Sequence, residues 1–148
     1  MTTAGVPTVL FSLPFEPRQL EALGLATLIG LLMGLERERR PAALAGVRTF
    51  GLTGLLGALA GLLGDHFATP ALLIAGFVLV AVMIIAANFR QPEPNDPGTT
   101  SVIALLVCYC LGAMVWLGYG RLAVMAAVGS TMLLYFKSEL RGVAARLT

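Results

Sequence analysis

The residues best equipped for chemistry stand together. Glu36, Arg37, Glu38, Arg39 and Arg40 follow one another directly, Pro41 turns the chain, and Arg48 and Thr49 open the next apolar run. Glutamates among arginines can pair charge with charge, hold an ion, or present a charged surface to lipid or to a partner protein. Glu36 precedes Arg39 and Arg40 by three and four residues with the carboxylate on the amino side, which favours ion pairs along a helix. Glu38 follows Gly34 by one turn, so it shares the face of Gly30 and Gly34 and points at whatever packs there. Two carboxylates contribute to a divalent-cation site, but hard cations take six or more oxygens or keep several waters. Arg37, Arg39, Arg40 and Arg48 oppose such an ion, so neither a metal site nor a cofactor is expected here.

The other reactive side chains are isolated. His66 beside Asp65 reads as a solvated or capping residue rather than a ligand. Cys108 and Cys110 lie two apart on an expected helix, about 200° around its axis, so they can neither bridge nor share one metal ion. They read as small apolar residues. With no Ser-His-Asp set and no phosphate-cradling loop, an enzyme is not expected.

The elements that position these residues are set by composition. Of 148 residues, 57% are hydrophobic and 12% charged, with mean hydropathy +0.87, whereas a soluble domain carries about a quarter charged residues. The apolar residues fall in runs of membrane-spanning length separated by short polar breaks. Hydrocarbon forces backbone groups to pair within each segment. The fold expected is therefore all-α: a polytopic helical membrane protein, a compact bundle of about five transmembrane helices.

The expected spans are 18–38, 47–64, 70–89, 99–117 and 122–136, with the last helix continuing past Lys137 and Glu139. They form one membrane domain over 18–140, preceded by an interfacial segment, 1–17, that prolines break up, and followed by a basic cytoplasmic tail, 141–148. No cleavable signal is read at the amino end, so the first span serves as its own insertion signal. Trp116 and Tyr119 stand where an aromatic belt would lie. Gly30 and Gly34 on the first span, and Gly54, Gly57, Gly61 and Gly64 on the second, recur at helical spacing and allow close backbone approach, with Gly46 just ahead of the second span. These faces predict either tight packing of the two helices on each other or packing between two copies, and they make a homodimer the first expectation for assembly.

Orientation follows from the basic residues. One side receives Arg37, Arg39, Arg40, Arg48, Arg90, Lys137, Arg141 and Arg146, and the other only Arg18 and Arg121. By the positive-inside rule the amino end lies outside and the carboxyl end in the cytoplasm. The small net charge of +2 is spent on this asymmetry and argues against a nucleic-acid partner.

Gly34-Leu35-Glu36-Arg37-Glu38-Arg39, followed by Ala45-Gly46-Val47-Arg48-Thr49-Phe50, resembles the signature of the MgtC/SapB family of bacterial inner-membrane proteins. In that family a first helix ends in Gly-Leu-Glu-Arg and a second opens with Gly-Leu-Arg-Thr. Many members carry His after the Arg-Thr pair. Phe50 at that place, with Gly51 to Gly64 and Leu111-Gly112-Ala113-Met114, is more similar to the branch in which this domain precedes a second membrane domain. That branch leads one to expect an acid near the start of the fourth span, where this chain has Thr99-Thr100-Ser101-Val102. The resemblance implies roles in growth under magnesium limitation, in survival of pathogens inside macrophages and, for some members, in restraint of the rotary ATP synthase. Carried over by position, its motif covers Gly34, Glu36, Arg37, Gly46, Arg48 and Thr49.

Three readings of the charge cluster stand at this point. As a stop-transfer anchor it fixes topology and attracts acidic lipid. In a regulator that binds another membrane protein, Glu36, Arg37, Glu38, Arg48 and Thr49 form the contact. In an oligomeric transporter or channel, Glu36, Arg48, Thr49 and Thr53 line the cytoplasmic mouth. The third, fourth and fifth spans hold no ionisable acid, base or His between their ends, and ion pathways normally need such groups.

Overall fold

The computed structural model describes residues 16–39, 45–90 and 99–147, from 137 onward by backbone alone. The interfacial segment, apart from its last two residues, as well as Arg40 and the polar linker 91–98, lies outside the described residues.

Among the described residues five helices follow one another: α1 (Pro17–Glu38), α2 (Val47–His66), α3 (Ala71–Arg90), α4 (Thr99–Trp116) and α5 (Gly120–Leu147). The first four are long and apolar enough to cross a membrane. The apolar part of α5, Gly120–Phe136, is shorter, and at about 1.5 Å per residue it sits at the low end of a spanning length. Its backbone stays helical through Arg141 and Arg146 to Leu147, so most of the expected basic tail is a continuation of α5. The fold is a helical membrane bundle.

Local chemistry sets the helix ends. Pro17 opens α1 in the first turn, where its missing N–H costs nothing. The hydroxyl of Thr69 accepts the Ala71 N–H at 3.3 Å at the start of α3. α4 closes in a Schellman turn: the Tyr119 N–H reaches Met114 O at 2.9 Å, the Gly118 N–H reaches Val115 O, and Gly118 takes φ +92°. The end of α2 repeats this geometry, with Thr69 N–H to Gly64 O and Ala68 N–H to Asp65 O, but the left-handed position is filled by an alanine at φ 50°.

α2 and α4 form the centre. Half of each lies buried, against 11% of α3. α1 packs on both, α3 lies against α2 and α4, and α5 lies against α1 and α4. The core holds Tyr109, Phe50, Met33, Leu105 and Cys108. Exposed side chains such as Leu52, Leu79, Val82, Met125 and Leu133 clothe the outside in apolar surface, the outward face a bundle in lipid requires.

Glycines bring the central helices together. A Cβ on Gly30 would overlap the Phe50 carbonyl of α2, and one on Gly34 would lie 2.7 Å from Val47 Cα. On the other side of α2, a Cβ on Gly57 would overlap the Tyr109 carbonyl, one on Gly112 would overlap the Gly54 carbonyl, and one on Gly61 would press on Trp116. Gly54 itself faces the Ala26 carbonyl of α1. The glycine faces that made a homodimer the first expectation are thus occupied within one chain, by α1 against α2 and by α2 against α4. Gly46 has no such role. It is the N-cap of α2, and a Cβ there would meet nothing within 4 Å.

Candidate functional site

The charge cluster sits where α1 ends and α2 and α4 begin. Ala26, Ile29, Gly30, Met33, Gly34 and Arg37 form the buried stripe of α1, at steps of three and four residues. Arg37 is the last member of that stripe and is 2% exposed. Its Nη2 donates to the Ser101 hydroxyl in the first turn of α4, and Ser101 is itself buried. A cation in the last turn of α1 lies favourably at the negative end of that helix, and a charge inside a membrane bundle is tolerated when turned to the interior and hydrogen-bonded there.

The neighbours of Arg37 point elsewhere. Glu36 is half-buried, and Glu38 and Arg39 are exposed. Glu38 still reaches the next helix: its Oε2 accepts the Val47 N–H at 3.4 Å, placing a carboxylate at the positive end of α2. Arg48 is exposed on the first turn of α2 and Thr49 beside it is half-buried. Thr49 and Thr53 enter a groove between α2 and α3 of about 280 Å³ whose walls are otherwise apolar, among them Leu56 and Met83. The Thr53 hydroxyl is turned back on its own helix, donating to Thr49 O at 2.7 Å.

One interior therefore joins the site to the core. Below Arg37 and Ser101, Cys108 Sγ donates to the Phe50 carbonyl at 3.3 Å, while Cys110 is exposed on the opposite face of α4. Lower still, the Tyr109 hydroxyl donates to Leu73 O at 3.0 Å, in the space left by Gly76 on α3. The phenylalanine that stands in the motif where histidine is common is fully buried against Gly30 and Gly34.

Two features were not read from the sequence. Ser101 carries no signal of its own beside two threonines at a helix start, although it heads the buried stripe Ala104, Leu105, Cys108 and Gly112. The second is a cleft of about 430 Å³ at the opposite end of the bundle, where Glu16, just ahead of α1, and Arg18 and Glu21 of α1 meet Asp65 of α2 and the turn between α4 and α5. His66 lies at that end, exposed, with its ring edge-on to Phe67. Among the described residues no group of three or more His, Cys, Asp or Glu side chains is placed to hold a metal ion.

A helical bundle with an apolar exterior, glycine-packed central helices and an arginine sealed into the junction of α1 and α4 defines a polytopic membrane protein. Residues 23–143 match the MgtC family, and the chain belongs to it. No curated protein and no solved structure matches the chain.

Proposed function

We propose that this chain is an inner-membrane regulator of ion or membrane-energy homeostasis, serving growth under magnesium limitation, and that it works by contact with another membrane protein, restraint of the ATP synthase being one such contact. It catalyses no reaction in this reading. The observation that carries it is the state of the bundle interior. Among the described residues the buried polar or charged side chains are Arg37, Thr53 and Ser101. None of these three is a carboxylate, the kind of group a magnesium path through the bundle would need, and Arg37 lies at the end where the basic residues gather. The exposed Glu38, Arg39 and Arg48 around it offer a surface to a partner.

Ion flux and magnesium binding by the purified protein in liposomes test this reading. The native chain is expected to conduct nothing. Magnesium flux that disappears in Glu36→Gln and Arg48→Ala would overturn the regulator and establish the oligomeric transporter.

A further inference from the structure

The cleft at the other end of the bundle carries charges of both signs in one opening. Arg18 leans over the turn that joins α4 to α5: its Nη2 lies 3.6 Å from the place a Cβ on Gly118 would occupy. Glu16 just ahead of α1, Glu21 on α1 and Asp65 at the end of α2 line the same opening. Leu25 and Trp116 add apolar lining. Among the described residues these carboxylates form no metal site, and the mixture of charges suits a ligand that carries both signs.

The cleft also lies at the level where the chain leaves the hydrocarbon, since α1 and α5 begin and α2 and α4 end there. Exposed Tyr119 and half-buried Trp116 mark an interfacial belt. A ligand at that level can be a lipid, with its headgroup in the cleft and its chains along the apolar exterior. Arg18 supplies the forked donor that suits a phosphate. A carboxylate in the same opening can accept N–H bonds from a primary ammonium.

From this pairing we propose that the cleft binds the headgroup of a zwitterionic, amine-bearing phospholipid, with its phosphate on Arg18 and its ammonium toward the carboxylates that line the same opening, Glu16, Glu21 and Asp65. The assignment is independent of the regulatory reading. A phosphatidylcholine headgroup has no N–H to donate, and a phosphatidylglycerol headgroup brings an anion with no cation, so both fit less well.

The test is thermal unfolding of the full chain in detergent micelles doped with phosphatidylethanolamine, phosphatidylcholine or phosphatidylglycerol of identical acyl chains. Phosphatidylethanolamine is expected to raise the melting temperature most, because a ligand that binds only the folded state stabilises it. Arg18→Gln should remove that rise. Glu16→Gln, Glu21→Gln and Asp65→Asn combined should reduce it to the phosphatidylcholine level. All four residues line an open cleft rather than the core, so these variants fold. Equal shifts from the three lipids, or an ethanolamine preference that survives the triple substitution, would overturn the proposal. So would an equal shift from soluble phosphoethanolamine, which would assign the cleft to a free zwitterion rather than a lipid.

Discussion

Arg37 in the last turn of α1 donates a hydrogen bond to the hydroxyl of Ser101 in the first turn of α4, tying together two helices that are 64 residues apart in sequence. Both side chains are buried, so the bond is made where water cannot replace it. Removing the acceptor takes one hydrogen bond from a buried guanidinium, whereas once the guanidinium is gone the same removal has no such bond to break. Ser101→Ala is therefore expected to destabilise the protein by about 1–3 kcal/mol. In an Arg37→Met background the same change should cost much less, and a double-mutant cycle read by thermal or denaturant unfolding should show a coupling of about 0.5–3 kcal/mol. A coupling near zero would mean that the bond contributes nothing to the bundle.

The glycines divide by what a methyl group would meet. Gly57→Ala and Gly112→Ala drive a Cβ into a backbone carbonyl of the facing helix. Backbone cannot step aside as a flexible side chain can, so each should cost at least about 1–3 kcal/mol or force α2 and α4 apart. Gly129→Ala on α5 and Gly24→Ala on α1 meet nothing within 4 Å. With the helix propensity of alanine in their favour they should be neutral, or stabilising by up to about 1 kcal/mol. Melting temperatures of the four purified variants check the division, and equal losses in all four would contradict it.

Ala68 holds the left-handed turn between α2 and α3 that Gly118 holds between α4 and α5. An L residue pays about 1–2 kcal/mol for that conformation. Part of the gain from glycine is returned as unfolded-chain entropy. Ala68→Gly should therefore stabilise the protein by about 0.5 kcal/mol, and Ala68→Val should destabilise it, since a β-branched residue is a poorer fit at positive φ. Paired unfolding curves that reverse this order would show that the turn carries no such strain.

How far the sequence reveals this molecule depends on which force decides each feature. The helices are legible almost to the residue, because apolar runs of spanning length alternate with Pro, Gly and polar turns: the expected 47–64 and 99–117 appear as Val47–His66 and Thr99–Trp116. The length of α5 is less legible, since hydropathy falls after Phe136 while the backbone stays helical to Leu147. The charge cluster is legible as a cluster, but its inward member depends on rotation. Neighbours on a helix differ by about 100°, and only the buried register Gly30, Met33, Gly34 selects Arg37 over Glu36 and Glu38. The pairing of α2 with α4 is the least legible. It turns on Gly112 and Gly57 meeting the opposing backbones, which no single helix announces.

Orientation can be tested on residues at the two ends of the bundle. α1 ends, α2 begins, α3 ends and α4 begins at one end, with Arg39, Arg48 and Arg90 exposed there. Arg18, Arg121 and Tyr119 lie at the other, all exposed. A bias of basic residues toward the first end predicts that it faces the cytoplasm. Single cysteines at Arg48 and at Tyr119, in a background with Cys108→Ala and Cys110→Ala, should separate cleanly. Arg48→Cys should resist a membrane-impermeant maleimide in intact cells and react after lysis, and Tyr119→Cys should react in both. Cys108→Ala removes the Sγ bond to the Phe50 carbonyl, so the background is first checked by its melting temperature, and Cys108→Ser, which keeps a donor there, replaces it if the loss is large. Labelling of Arg48→Cys from outside would invert the bundle and place the buried arginine, together with the exposed charges proposed to meet a partner, on the opposite face of the membrane.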